Sequence, residues 1–239
     1  MKKTIISLLL ITILMGFTGC INNNKSNGDT KSISNNTKAE TNKQELVIKN
    51  SGWSMRQTDL STYLSYGLEI TNPNEKYLAS FPKIKIVGRD DSNKILFSYD
   101  EILDYIYPKE TLYYGDTIPL DDERPAKIEF TVNVSNDGWE NASFVNYPKN
   151  TDFSVSNVSE YKDDDHTLRF TGEIENKSNI DIHSASIVVI LKKEGNIVGG
   201  GYAYSDELNA KQNDTFEMYV SGYPEYDSYE ISSHVAMIN

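Results

Sequence analysis

Apolar side chains recur in this chain at every second position, and that period excludes helix as its main building element. Leu64, Tyr66, Leu68 and Ile70 form one row, Ile84 and Ile86 begin a second, and Ile128, Phe130, Val132 and Val134 form a third. Leu168, Phe170, Gly172 and Ile174 follow, then Ile187, Val189 and Leu191, then Phe216, Met218 and Val220, and last Tyr229, Ile231 and Val235. Successive side chains of a strand point to opposite faces, so each row predicts a strand with one buried and one wet face. Sixteen tyrosines and eight phenylalanines agree with that bias. Only residues 100–107 offer a helical turn.

The rows also repeat. Gly67-Leu68-Glu69-Ile70-Thr71-Asn72-Pro73-Asn74 lines up, with a one-residue slip, with Gly172-Glu173-Ile174-Glu175-Asn176-Lys177-Ser178-Asn179. Lys83-Ile84-Lys85-Ile86-Val87 matches Ser186-Ile187-Val188-Val189-Ile190-Leu191, and each is followed by a polar turn. Lys127-Ile128-Glu129-Phe130 matches Ser228-Tyr229-Glu230-Ile231, so the offset stays near 100 residues throughout. A period that long is a duplicated domain and not a solenoid unit. The expectation is an all-β chain of two tandem immunoglobulin-like β-sandwich domains, at 45–135 and 151–239. Residues 136–150, rich in turn formers such as Asn136-Asp137-Gly138, read as a linker.

Ahead of the first row, Lys2 and Lys3 precede an apolar run over residues 5–17, which is too short and wrongly flanked for a lasting membrane span. Phe17-Thr18-Gly19-Cys20 resembles the lipobox of prokaryotic lipoproteins. That resemblance implies a signal peptide over 1–19 and a diacylglycerol on Cys20, with two or three acyl chains holding the chain to a membrane on its extracytoplasmic side. Residues 20–44 are rich in Asn, Ser and Lys and poor in apolar side chains, so they read as a disordered tether with an end-to-end distance of roughly 25–30 Å. Cys20 is the only cysteine, so no disulfide staples the fold.

Within the second repeat, Gly172-Glu173-Ile174-Glu175-Asn176-Lys177-Ser178, the strand over 187–191, Gly195-Asn196-Ile197-Val198-Gly199-Gly200-Gly201 and Leu208-Asn209-Ala210-Lys211-Gln212-Asn213-Asp214-Thr215-Phe216 resemble the FxLYD domain of prokaryotic envelope lipoproteins. The resemblance covers roughly residues 170–235 and, more weakly, 66–134; of the name-giving motif it keeps Leu191. It implies an extracytoplasmic β-sandwich module of unassigned activity.

Chemistry is sparse along the chain. His166, His183 and His234 show no metal-ligand spacing and read as solvated or incidental, so no metal or other cofactor is expected. There is no Gly-x-Ser-x-Gly elbow and no phosphate loop, and Gly199-Gly200-Gly201 reads as close backbone packing or a bulge inside a strand. Asp90-Asp91, Asp121-Asp122-Glu123 and Asp163-Asp164-Asp165 read as solvated hairpin tips. A net charge of −12 repels nucleic acid. The remaining candidates for a ligand or partner surface are tyrosines: Tyr105, Tyr107, Tyr113 and Tyr114 in the first repeat, Tyr223 and Tyr226 in the second. Tyr113 and Tyr114 are adjacent, so one of them points away from its core. The expected role is a non-catalytic interaction or scaffold module that meets an envelope protein or polymer. The alternative is a carbohydrate or small-ligand module built on exposed tyrosines.

Overall fold

Each alternating row becomes a strand whose apolar side chains share one face, and sheets built from such strands close on each other to remove those faces from water. The structure, a computed structural model, describes residues 43–58, 61–120, 123–163 and 166–238. The leader, Cys20, most of the tether, and Asp121, Asp122, Asp164 and Asp165 lie outside the described residues. The first half holds β1 (Val47–Gln57), β2 (Thr62–Thr71), β3 (Tyr77–Ser80), β4 (Lys83–Arg89), β5 (Ile95–Ile102), β6 (Tyr105–Ile106), β7 (Thr111–Leu120), β8 (Lys127–Asn133) and β9 (Trp139–Asn141). The second holds β10 (Phe153–Lys162), β11 (Thr167–Asn176), β12 (Ile182–Lys193), β13 (Asn196–Tyr204), β14 (Asn213–Ser221) and β15 (Ser228–Ile238). Residues 100–107 fall on β5 and β6, not on a helical turn.

All pairings are antiparallel, and the sheet orders repeat between the halves. The first half has β1-β2-β7 and β5-β4-β8; the second has β10-β11-β14 and β13-β12-β15. A small additional sheet, β6-β3-β9, belongs to the first half alone. Leu64, Tyr66, Leu68 and Ile70 of β2 meet Ile84 and Ile86 of β4 in the first core. Leu168, Phe170 and Ile174 of β11 meet Ile187, Val189 and Leu191 of β12 in the second. Asn72 and Asn176 end β2 and β11 in the same way, fully buried, with the side-chain amide donating to two backbone carbonyls and the side-chain oxygen accepting a backbone N–H two residues on. The equivalence of these two asparagines explains the one-residue slip. Leu64, Tyr66, Ile70 and Asn72 correspond to Leu168, Phe170, Ile174 and Asn176, so Gly67 and Gly172 sit at positions of opposite parity and face opposite ways.

The described residues from 43 onward belong to one compact unit. Every residue from Ile187 to Leu191 is fully buried, because Val188 and Ile190 point away from the second core and pack with Ile197, Tyr113 and Tyr202 into a third cluster. Opposite them, Gly52, Gly67 and Gly115 stand in register across β1, β2 and β7. This glycine row lets β13 lie directly on the sheet: a Cβ on Gly52 would come within 1.8 Å of the Ile197 carbonyl oxygen, and one on Gly115 within 3.0 Å of Gly200 Cα. Side-chain hydroxyls then satisfy the outward backbone groups of β13, which is an edge strand of its own sheet. Ser54 Oγ donates to the Val198 carbonyl at 2.7 Å, Thr117 Oγ1 donates to the Gly200 carbonyl at 3.0 Å, and Gly200 N–H donates to Ser65 Oγ at 3.1 Å. Within the strand, Gly200 thus packs against the backbone of Gly115 while Gly199 and Gly201 make room for the side chains of Ser65 and Val220. The pairing with β12 shifts register beside Gly199, so close packing and a bulge, the two readings of its sequence, are both present.

The segment 136–150, expected as a plain linker, carries β9, which pairs with β3. Its Ala142, Val145 and Tyr147 pack against the second core.

Candidate functional site

The six tyrosines expected at a surface divide sharply. Tyr105 and Tyr107 are buried, and their rings meet edge to face at 5.8 Å. Their hydroxyls donate to the carbonyls of Pro148 at 2.6 Å and Tyr147 at 2.8 Å, so they peg the segment between the halves rather than present a surface. Burial pushes both hydroxyls above the ordinary phenol range. Tyr114 is also buried, in the first core beside Tyr66. Tyr113, on the opposite face of β7, is half-buried in the third cluster, and burial next to the Glu230 and Glu69 carboxylates pushes it up to about 12. The pair does split across the strand, but the outward member is covered by the other half.

Tyr223 and Tyr226 are also of intermediate burial, and they lie on the connection between β14 and β15. Gly222 makes that connection possible: its φ of +61° is left-handed, and Tyr63 of β2 packs so closely that a Cβ there would lie 2.5 Å from the ring. The two tyrosine rings stand edge to face, 5.9 Å apart, in a concavity of about 400 Å³ lined also by Arg56, Lys162, Lys193, Glu225 and Asp227. Lys162 Nζ sits 4.4 Å above the Tyr226 ring, and the Arg56 guanidinium lies 5.6 Å from the Tyr223 ring. Tyr226 OH donates to Glu160 at 2.7 Å. Lys193 pairs with Glu225 at 2.7 Å, which holds that carboxyl below its usual range. Arg56 reaches from β1 to donate to the Tyr223 carbonyl at 3.2 Å and meets His166 Nδ1 at 3.1 Å. A backbone carbonyl and an imidazole nitrogen thus lie against the guanidinium. These cations come from β1, β10 and β12, each one charge in an ordinary strand sequence, so no local pattern marks them.

Elsewhere burial raises four carboxyls of the first half. Asp104 and Asp116 are both pushed up to about 6, and Glu101 and Glu110 are raised as well. One Asp104 carboxyl oxygen is buried without a hydrogen-bond partner. An acid–base pair needs environments that drive two carboxyls apart, and these move in the same direction. Among the described residues no three His, Cys, Asp or Glu side chains are placed to hold a metal ion.

His234, expected to be solvated or incidental, is buried on β15, and desolvation lowers its pKa to about 4. A histidine depressed in the fold stabilises above its unfolded value of 6.5 and loses that contribution as pH falls toward 4. The raised Asp104 and Asp116 act oppositely, because the folded chain holds their protons up to about pH 6 and so gains stability on acidification. His234→Gln removes only the first titration. Relative to the unaltered chain, its urea midpoint is expected to rise between pH 7 and about 4.5, by about 2 kcal/mol in stability. A difference independent of pH would contradict a buried, neutral His234.

No protein-family model matches the chain, and no curated protein matches it. Among solved structures, the C-terminal globular domain of an oligosaccharyltransferase from Pyrococcus abyssi is similar at 6% identity, over 79% of this chain and 46% of that one, with a TM-score of 0.27. The chain thus spans less than half the length of that structure.

Proposed function

We propose that this chain is a lipid-anchored, extracytoplasmic, non-catalytic interaction module, in which two tandem immunoglobulin-like, FxLYD-like sandwiches meet another envelope protein or polymer. The observation that carries the reading is the order of its N-terminal sequence. Lys2-Lys3 and an apolar run lead to Gly19-Cys20, and a polar stretch of about two dozen residues then precedes β1. Each buried acyl methylene contributes about 0.8 kcal/mol, so two chains on Cys20 anchor durably where one does not. The negative surface gives no help with anionic headgroups.

The test is fractionation. The unaltered protein is expected to stay with membranes through a high-salt wash and to be released by detergent, whereas Cys20→Ala is expected to be recovered almost entirely in the soluble fraction. A variant that still pellets after the wash would overturn the anchor.

One observation favours the second reading, a saccharide or small-ligand module. Tyr223 and Tyr226 stay accessible and line a concavity with convergent charged groups.

A further inference from the structure

We infer that the concavity at Tyr223 and Tyr226 binds an anionic saccharide, a sugar ring carrying a carboxylate or a phosphate. The inference rests on the second reading above, that accessible tyrosines form a ligand platform, and it does not depend on the lipid anchor.

Charge makes the first step of the argument. In a chain of net charge −12, cations from three separate strands converge on one pair of tyrosines. Among the described residues Arg56 has the Tyr223 carbonyl and His166 Nδ1 as its hydrogen-bond partners. A guanidinium carries five N–H donors, so three remain for a carboxylate or phosphate, which it grips in bidentate fashion. Lys162 and Lys193 do have counterions, Glu160 at 3.3 Å and Glu225 at 2.7 Å, but Glu225 is 82% exposed. Exposed ion pairs contribute at most about 1 kcal/mol, so a ligand anion can share the Lys193 ammonium at little loss.

The rings make the second step. A bare anion needs no aromatic wall, whereas the C–H face of a sugar ring does, and the Tyr223 and Tyr226 rings supply one that is already ordered. Tyr226 is held by its hydroxyl bond to Glu160 and by Lys162 over its ring, and Lys162 itself pairs with Glu160 at 3.3 Å. At the rim, the Glu225 and Asp227 carboxylates can accept sugar hydroxyls. Asp227 is held in place by accepting from the Glu194 N–H at 2.7 Å. The volume, about 400 Å³, admits one or two sugar rings. The site also joins the two halves. Arg56 belongs to the first and the tyrosines to the second, so the concavity requires the packing that the glycine row allows.

The test is titration calorimetry on the full chain in neutral detergent, with trigalacturonate and glucose 1-phosphate as probes and maltotriose and inorganic phosphate as controls. At least one acidic sugar is expected to bind about ten-fold more tightly than either control and to weaken as salt is raised. Tyr226→Ala and Lys162→Gln are each expected to reduce that affinity at least about five-fold. Arg56→Gln is expected to abolish it, while the circular dichroism of all three variants stays native. Should Arg56→Gln disturb the fold, Lys162→Gln, at a half-exposed lysine whose contacts are Glu160 and the Tyr226 ring, carries the test of charge. Equal binding of maltotriose would leave a tyrosine platform but overturn the anionic ligand. Equal binding of inorganic phosphate would overturn the saccharide. Binding of none of the four, or affinity unmoved by Lys162→Gln, would overturn the site, while membrane fractionation would still decide the anchor independently.

Discussion

Gly52→Ala is expected to destabilise the chain by about 3 kcal/mol or more, a large effect for one methyl group. The added Cβ would stand 1.8 Å from the carbonyl oxygen of Ile197 and 2.6 Å from its carbon. Both are backbone atoms, so no side chain can swing aside. β13 cannot retreat readily either, since Asn196–Tyr204 is hydrogen-bonded along its other edge to β12. The sheet must therefore lift away from β13. Lifting also breaks the bonds from Ser54, Ser65 and Thr117 that satisfy the edge of β13 and exposes the cluster around Val188 and Ile190. Gly195→Ala serves as the comparison. That glycine has a φ of +78° and no atom within 4 Å of an added Cβ, so only backbone strain of about 1 kcal/mol is expected. Urea midpoints at constant slope measure both. Equal losses for the two variants would mean that the packing of β13 on the glycine row is not as described.

Asn176→Ala is the second large effect, with an expected loss of about 3–4 kcal/mol. The amide donates to the carbonyls of Ile180 at 2.9 Å and Leu208 at 3.1 Å, and its oxygen accepts from Ser178 N–H at 2.9 Å. Truncation leaves three backbone groups facing a residue position that water does not reach. Each group then bears its own desolvation penalty. Asn176→Asp is expected to be worse still, since a carboxylate has no donor for the two carbonyls. Asn72→Ala removes the equivalent bonds to Tyr77, Ile106 and Asn74 and is expected to fall in the same range. Thermal or urea unfolding of the three variants checks this, and a loss under about 1 kcal/mol for Asn176→Ala would contradict the buried network.

How much of this was legible in the sequence depends on the range of the signal. Period-two rows are local, and those of β2, β4, β11, β12 and β14 supplied the core positions directly, because a half-buried strand writes its two faces into alternate residues. The unbroken apolar run Ile187-Val188-Val189-Ile190-Leu191 also held a signal that alternation alone misses. A strand covered on both faces has no polar side to display. The glycine row was not readable, since Gly52, Gly67 and Gly115 become neighbours only once the register of three strands is fixed. The same holds at the concavity. Tyr223 and Tyr226 stood out as a close pair, but Arg56, Lys162 and Lys193 join them only through tertiary packing. Tyr105 and Tyr107 show the converse limit, because a tyrosine that buries its ring and bonds a carbonyl has the same local sequence as one that faces water.

If the two halves are one body, so that Arg56 of one and Tyr223 of the other hold a fixed site between them, calorimetry reads it most directly. Heating the unaltered chain is expected to give a single transition whose calorimetric and van't Hoff enthalpies agree, a ratio of about one. Two resolved transitions, or a ratio well above one, would mean that the halves unfold independently and that the concavity they share is not a standing feature of the protein.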